Sequence, residues 1–360
     1  MENKSILMVA SYGGPYAGNF IASLIEYDSA VKELGYRSVY IFPGFVENYD
    51  WVAQMRAVAD SIYFIPYNQY SFDNIRRIHT IAKSENAVLI YSRMSGWDIT
   101  ARFAMPGLPL IWHMEMDLSL PNWKRKLKYF LKYRILGGSN VYHISVSEST
   151  AKTINSLGVR QKCVWIPNAI NLERLEKKPA LPFGKPVRLL CFAYQPIIKG
   201  FDIALDACEI LNKDSVKYIL MASAQKNTYA YVSERYGDSP PEWLELLEPT
   251  DKISGIFNKA DIMLSASRNE GFSYCLLEAI YSGLPFVYSD ILGTSWADEM
   301  EMGTKFLSGD AVSLAEAIPY CAVEPVIWEI QQRNRERIKE KYSMPVWKDK
   351  ISDFIQAIIR

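Results

Sequence analysis

Short apolar runs alternate with helix-like segments along nearly the whole chain, and this alternation limits the folds that it can adopt. In the first half, amphipathic segments separate most of the strand candidates, which are 5–10, 38–42, 61–65, 87–91, 110–112 and 141–145. Strands that alternate with helices in this way form a parallel sheet with helices on both faces. The sequence therefore predicts an α/β protein.

The second half of the chain repeats this alternation, and the length indicates two domains. A chain of 360 residues is longer than a protein that folds around a single hydrophobic core usually is. The strand candidates of the second half are 188–193, 217–222, 262–266 and 286–288, and a helix is expected at 201–211. A polar, proline-rich stretch at 173–186 is interpreted as the linker region. We expect domains at 1–168 and 169–344.

Composition excludes several classes of protein. Lys and Arg together number 40, as do Asp and Glu, so the overall charge implies no polyanionic partner, and no nucleic-acid recognition module is found. The five cysteines show no metal-ligand spacing, which suits reduced thiols in a cytosolic protein. The N-terminal apolar run is too short for a signal peptide, and no run approaches the roughly 18 apolar residues of a membrane span. We therefore expect a cytoplasmic protein.

Two glutamates frame the most informative segment of the sequence. Glu270 closes the apolar run 261–267, and Glu278 lies in the helical pattern 274–282 that follows a glycine-containing turn. In an α/β fold, the free N–H groups at the start of such a helix bind phosphate. Carboxylates before and within the helix can accept hydrogen bonds from the hydroxyls of the same ligand. This arrangement favours a polyhydroxylated, phosphorylated ligand.

Residues 270–285, Glu-Gly-Phe-Ser-Tyr-Cys-Leu-Leu-Glu-Ala-Ile-Tyr-Ser-Gly-Leu-Pro, resemble the Glu-x7-Glu signature of retaining glycosyltransferases with the GT-B fold, the group 1 or family 4 class. The resemblance implies two Rossmann-like domains that face each other across a cleft. The donor would bind to the second domain and the acceptor mainly to the first. Residues 166–171 match the family's segment at the domain crossover, and helix 345–360 is expected to pack back on the first domain.

The resemblance also assigns the donor site. Glu278 would bind the ribose hydroxyls, Glu270 would contact the sugar, and Lys199 would neutralise the leaving diphosphate. Backbone groups are expected to contact the sugar and the diphosphate at Gly14, Gly271, Phe272, Ser273 and Leu276.

One position departs from the family pattern. The family usually carries an arginine five residues before the lysine, and this chain has Tyr194 there. Lys199 must then supply more of the charge that faces the diphosphate. Arg268 is a candidate substitute, although the resemblance does not assign it this role.

His113 follows a strand at the place where many family members have a histidine. There it would support the donor sugar and the charge that develops at the anomeric carbon, so the predicted catalytic residues are His113, Glu270 and Lys199. A lone histidine is more often structural, and His143 and His79 are assigned to structure. The resemblance implies a front-face reaction, in which the acceptor attacks from the leaving-group side without a carboxylate nucleophile. No metal site and no cofactor are expected.

Residues 121–136 carry six basic side chains and no acidic one. As a helix, this segment places Trp123, Leu127, Phe130 and Leu131 on one face and its lysines on another, a pattern typical of helices that lie in an anionic membrane surface. An ordinary helix docked on the domain core is the alternative. The residues expected to contact the acceptor or the membrane are Arg93, Lys124, Arg125, Lys128 and Lys132.

The predicted function is retaining transfer of a hexose or N-acetylhexosamine in polysaccharide biosynthesis. The donor would be a nucleotide-sugar, and a UDP-sugar is favoured because it is the more frequent donor in the family. The acceptor would be a cell-surface glycan or a polyprenyl-linked saccharide. The enzyme would act at the inner face of the cell membrane. Two alternatives stay open, a catalytically silent sugar-nucleotide-binding scaffold and a GT-B sugar-nucleotide epimerase. A phosphorylase is disfavoured because it needs a pyridoxal-phosphate lysine and a much longer chain.

Overall fold

The computed structural model describes residues 4–118, 122–179, 185–323 and 328–359. The chain divides into two compact units, with Met1–Ala169 and Met344–Arg360 in unit 1 and Ile170–Ser343 in unit 2. Among the described residues, no helix is both long enough and apolar enough to cross a membrane.

Unit 1 contains a seven-stranded parallel sheet in the order β3-β2-β1-β4-β5-β6-β7. Its strands are β1 (Ser5–Ala10), β2 (Arg37–Pro43), β3 (Ser61–Ile65), β4 (Ala87–Arg93), β5 (Leu110–Met114), β6 (Val141–Ser145) and β7 (Cys163–Trp165). Its first six helices are α1 (Gly18–Glu33), α2 (Trp51–Val58), α3 (Phe72–Ser84), α4 (Asp98–Ala104), α5 (Trp123–Tyr129) and α6 (Glu148–Ser156). A π-helical turn, Phe130–Leu136, continues α5.

Unit 2 contains a six-stranded parallel sheet in the order β10-β9-β8-β11-β12-β13. Its strands are β8 (Val187–Phe192), β9 (Tyr218–Ser223), β10 (Leu244–Leu247), β11 (Ile262–Ser265), β12 (Phe286–Ser289) and β13 (Gly303–Phe306). Its helices are α7 (Phe201–Leu211), α8 (Lys226–Tyr236), α9 (Ile253–Lys259), α10 (Tyr274–Ser282), α11 (Ala311–Val323) and α12 (Trp328–Tyr342). The two parallel α/β sheets confirm the predicted fold class.

The first strand shows why unit 1 needs helices on both faces of its sheet. Every residue of β1 is buried. Ile6 and Met8 belong to the core on one face, and Leu7 and Val9 to the core on the other. Successive side chains of a strand point to opposite faces, so both faces must be covered. The last helix, α13 (Met344–Ile359), covers the first face beside α1.

The strand order of each sheet reverses direction at one point. In unit 2 this point lies between β8 and β11, and in unit 1 it lies between β1 and β4. In open α/β sheets, ligands bind outside the carboxyl ends of the strands at such a reversal. The loops that leave β8 and β11 are therefore where the fold itself predicts a site in unit 2.

Candidate functional site

Lys199 and Glu270 meet at the reversal point of unit 2. Lys199 lies in the loop after β8 and Glu270 in the loop after β11, and these strands are neighbours in the sheet. The Lys199 Nζ atom lies 2.6 Å from Glu270 Oε1, and the two side chains are only 13% and 11% exposed. The structure thus brings together two residues that the sequence predicted for the donor site.

The charge state of this pair follows from its surroundings. Burial by itself would lower the pKa of Lys199, but the carboxylate of Glu270 and the phenol of Tyr194 outweigh burial and raise the pKa above its ordinary value. The hydroxyl of Ser267 also donates to Glu270 Oε1, at 2.7 Å. The site therefore holds a cationic lysine beside a hydrogen-bonded carboxylate.

Tyr194 occupies the position at which the family pattern predicted an arginine. Its ring centroid lies 4.8 Å from Lys199 Nζ, a geometry in which an aromatic ring attracts a cation. Tyr194 therefore orients the lysine but adds no charge. Arg268 does not supply the missing charge either, because both of its terminal nitrogens donate to the carboxylate of Asp202 at 2.7 Å. The hypothesis that Arg268 substitutes for the arginine is not supported.

Two glycines allow the loops of this site to approach each other. Gly200 has φ 66°, and a Cβ atom there would lie 1.9 Å from the carbonyl oxygen of Ala266. A Cβ atom on Gly293 would lie 1.9 Å from the carbonyl oxygen of Glu270. Neither position accepts a larger residue without a shift of the backbone. These contacts fix the loop of Lys199 against the end of β11.

Helix α10 begins directly after the Glu270 turn. Its N-cap residue Ser273 accepts a hydrogen bond from the Leu276 N–H at 3.4 Å. Phe272 stacks on Trp296 with ring centroids 4.8 Å apart. The Phe272 side chain therefore anchors the turn within unit 2. The predicted donor-binding segment 271–276 lies at the N-terminus of this helix, where the helix dipole favours an anion.

Glu278 lies further along α10, with only 6% of its side chain exposed. The Nη1 atom of Arg174 lies 3.9 Å from Glu278 Oε1. Arg174 also donates from Nη2 to the carbonyl oxygen of Asp251 at 3.1 Å. Sequence reasoning did not identify Arg174, because nothing in the motif marks a residue more than one hundred positions upstream.

A cavity of about 20 Å³ lies among the donor-site side chains, including Tyr194, Lys199, Glu270, Ser273 and Cys275. This volume corresponds to a single water molecule, so the polar groups of the site are closely packed. In the parts of the chain that the structure describes, no three His, Cys, Asp or Glu side chains cluster as metal ligands.

His113 is fully buried in unit 1, at the end of β5. Its Nδ1 atom lies 2.7 Å from the hydroxyl oxygen of Tyr91, and burial lowers its pKa to about 3. Its Nε2 atom has no hydrogen-bond partner among the described residues. The histidine is therefore neutral and enclosed, and its contact with a donor sugar stays a prediction.

Arg93 does not face the surface, contrary to the expectation that it meets a phosphate-bearing acceptor. Its guanidinium is fully buried, and Nε and Nη2 donate to Glu115 Oε1 at 2.9 and 2.6 Å. Nη1 donates to the Ser23 hydroxyl at 2.8 Å. Burial by itself would raise the pKa of Glu115, but Arg93 outweighs it and holds this pKa below its ordinary range. Arg93 thus stabilises the interior of unit 1.

The Gly13-Gly14 turn follows β1, at the strand reversal of unit 1. The indole N–H of Trp51 donates to the Gly14 carbonyl oxygen at 3.0 Å. A Cβ atom on Gly14 would lie 2.5 Å from the hydroxyl oxygen of Tyr12. The close packing explains the glycine, while its contact with a donor phosphate stays a prediction.

The basic segment forms α5 and the π-helical turn, and its cations divide into two groups. Lys132 is 17% exposed, and its Nζ atom lies 2.7 Å from Asp98 Oδ2. It therefore joins the segment to the body of unit 1 and is not available to a membrane or an acceptor, contrary to expectation. Lys124, Arg125 and Lys128 are exposed, as the predicted role requires.

Comparison with known proteins relates unit 2 to a known family. A model of the family Glycosyl transferases group 1 matches residues 186–322, which include Lys199, Glu270 and Glu278. This segment of the chain is therefore similar to group 1 glycosyltransferases, and the match covers less than half of the chain.

Individual proteins that are similar to this chain include glycosyltransferases. The putative colanic acid biosynthesis glycosyltransferase WcaL of Escherichia coli K12 is 21% identical over 234 residues, which are 60% of this chain and 56% of that protein. The chain thus aligns with little more than half of this relative. A glycosyltransferase from Rickettsia africae shares its fold with a TM-score of 0.75, at 18% identity over 99% of both chains.

The structure of Anabaena Alr3699/HepE in complex with UDP-glucose has a TM-score of 0.77 to this chain. It is 15% identical, over 98% of this chain and 99% of that chain. These likenesses confirm the predicted GT-B fold.

Proposed function

We propose that this protein is a glycosyltransferase that moves a hexose or N-acetylhexosamine from a UDP-sugar to a cell-surface glycan or a polyprenyl-linked acceptor, with retention of the anomeric configuration. The observation that carries the proposal is the Lys199–Glu270 pair, which lies at the strand reversal of unit 2 and directly before the N-terminus of α10.

The chemistry of the donor fits this arrangement. A diphosphate needs cationic charge and N–H donors, which Lys199 and the start of α10 supply. A ribose offers hydroxyl donors, and the buried carboxylate of Glu278 is a suitable acceptor for them. The complex of the related Anabaena protein with UDP-glucose supports uracil as the base and a hexose as the sugar.

The Lys199–Glu270 pair suggests how donor binding prepares the reaction. A diphosphate competes with Glu270 for the lysine ammonium, and a sugar hydroxyl can donate to Glu270 in place of that ammonium. Lys199 then stabilises the negative charge that develops on the leaving diphosphate. We propose a front-face reaction, in which a diphosphate oxygen takes the proton of the attacking hydroxyl and the protein supplies orientation. We also propose that the reaction needs no metal ion.

A thermal-shift panel with UDP, GDP, ADP and CMP tests the donor assignment. A ligand that binds only the folded protein raises the melting temperature by mass action. We expect UDP to give the largest shift, and UDP-glucose and UDP-N-acetylglucosamine are then tested for turnover with an acceptor. An α-linked product from an α-linked donor, read by NMR of the anomeric proton, supports retention. An inverted product or no shift with any nucleotide contradicts the proposal.

Association with an anionic membrane is part of this proposal. Lys124, Arg125 and Lys128 are exposed on one helical segment beside exposed apolar side chains such as Trp123 and Ile135. Anionic lipid attracts such a segment, and salt weakens the attraction. The protein should sediment with vesicles that contain anionic lipid at low salt and stay in the supernatant with neutral vesicles.

A second candidate function is a silent sugar-nucleotide-binding scaffold, and Tyr194 is the feature that favours it. The aromatic ring adds no charge where the family pattern has a guanidinium. The two functions differ in turnover: a scaffold would bind UDP-sugar without consuming it in the presence of any acceptor.

A further inference from the structure

A cavity of about 740 Å³ lies in unit 1 beside α5 and the π-helical turn. We call it the α5 pocket. Its walls are mainly apolar and include Met94, Met116, Trp123, Leu127, Leu131 and Leu136. Cavities of roughly 300–1,000 Å³ bind ligands of drug size. The α5 pocket is therefore large enough for a substantial part of a ligand.

The lining of the α5 pocket does not suit a saccharide. Sugar hydroxyls that leave water need hydrogen-bond partners, and apart from its lysines, tyrosines and Trp123 the pocket offers only the polar side chains of Ser95 and Glu115. Of these, Glu115 already accepts two hydrogen bonds from Arg93. Flexible methionine and leucine side chains are instead suited to an aliphatic chain.

Positive charge lies along the same wall. Lys124 and Lys128 line the α5 pocket one helical turn apart, and both are exposed. Neither forms an ion pair with a carboxylate in the described part of the chain, whereas Lys132 is neutralised by Asp98. The pocket thus combines an apolar interior with two cations that remain available to an anion.

We propose that the α5 pocket binds the first isoprene units of a polyprenyl-phosphate-linked acceptor, with Lys124 and Lys128 on its phosphate. This inference rests on the proposed function and names one of its two acceptor classes. In this proposal the lipid chain binds inside the protein, and the helix forms a wall of that binding site in addition to contacting the bilayer surface.

The two sides of the helical segment provide matched controls. Leu127 and Lys128 line the α5 pocket, whereas Ile135 and Lys126 belong to the same segment and do not line it. Leu127 and Ile135 are similarly exposed, at 48% and 56%. Because these side chains are exposed, their substitution should leave the fold intact. A helix that only lay on a membrane would use both sides.

The test measures binding of farnesyl phosphate to the full chain, without a bilayer and below the concentration at which the lipid aggregates. We expect saturable binding by calorimetry, and much weaker binding of farnesol and of inorganic phosphate. Leu127→Gln and Lys128→Ala should each raise the Kd about tenfold, the effect of losing one apolar or one charge-assisted contact. Ile135→Gln and Lys126→Ala should leave the Kd unchanged.

The thermal shift with UDP, measured on the same samples, separates the two proposals. A normal UDP shift without farnesyl phosphate binding overturns the α5 pocket inference and leaves the donor assignment standing. Equal losses in the pocket variants and the control variants also overturn it, because they indicate unspecific adsorption. Binding of inorganic phosphate as tight as that of farnesyl phosphate shows that the apolar chain is not recognised, which overturns it too. A missing UDP shift contradicts the proposed function itself.

Discussion

Removing one member of the Lys199–Glu270 pair should destabilise unit 2 more than removing both. The charged atoms lie 2.6 Å apart, and the side chains are 13% and 11% exposed. At an effective dielectric constant of about 20, two unit charges at that distance attract by about 6 kcal/mol, against which stands the loss of hydration of each ion. A single substitution leaves the other charge buried without a partner, which costs about 3 kcal/mol or more.

A double-mutant cycle measures this coupling. Glu270→Gln, Lys199→Met and the double variant are compared by hydrogen exchange, with mass spectrometry of peptides from unit 2 reporting its opening free energy. We expect a coupling free energy of about 2 kcal/mol between the two sites. The exposed pair Lys341–Glu299, with side chains 48% and 54% exposed, serves as the control and should show about 0.5 kcal/mol or less.

The same variants test the role of the pair in donor binding. Glu270→Gln should tighten UDP binding, because the ammonium of Lys199 is no longer shared with a carboxylate. Lys199→Met should weaken UDP binding, because the cation itself is lost. A coupling no larger than that of the control pair, together with UDP affinities that do not change in opposite directions, would refute this reasoning.

Further predictions concern both units. Glu278→Gln should reduce the melting-temperature shift that UDP produces, and an unchanged shift would remove Glu278 from the ribose site. Activity should survive a chelator, and complete loss with EDTA would contradict metal independence. Burial lowers the pKa of His113 and of His143 from 6.5 to about 3. As the pH falls, each histidine therefore takes up a proton in the unfolded form before it does so in the folded form. At pH values below about 6.5, the free energy of unfolding should decrease by about 1.4 kcal/mol per pH unit for each histidine. The free energy of unfolding, measured with urea at several pH values in this window, should depend less steeply on pH for His143→Asn than for the unchanged protein. Gly283 has φ 105°, and a Cβ atom there would lie 2.7 Å from Arg335. Gly283→Ala should therefore destabilise unit 2 by about 2 kcal/mol, which hydrogen exchange can measure.

Central strands could be predicted from the sequence, whereas three edge strands could not. The apolar run of β1 stands out because helices cover both of its faces. β7, β10 and β13 lie at sheet edges and were not predicted. β13, Gly-Thr-Lys-Phe, is partly exposed and polar, and β7 has three residues. Such segments form strands because they pair with a neighbouring strand, and the local sequence gives no information about that pairing.

In the candidate site, too, some features could be predicted from the sequence and others could not. The family resemblance predicted Lys199 and Glu270, and the strand order explains why they meet. The sequence did not reveal the partners of the other cations. Arg93 and Lys132 looked available as isolated basic residues, but each is bound to an acid more than twenty positions away, Glu115 and Asp98 respectively. Whether a charge faces a ligand or an internal partner depends on tertiary packing.

The position of α13 in the chain determines the order in which the units can be completed during synthesis. Met344, Trp347, Ile351 and Ile355 belong to the core of unit 1, yet they follow the whole of unit 2 in the chain. At the base of unit 2, the Ile170 N–H donates to the Tyr342 carbonyl oxygen at 2.9 Å, so this unit can close on itself. Domains usually fold in the order in which the ribosome produces them. Here we expect the reverse, with unit 2 folded while the nascent unit 1 still lacks one wall of its core.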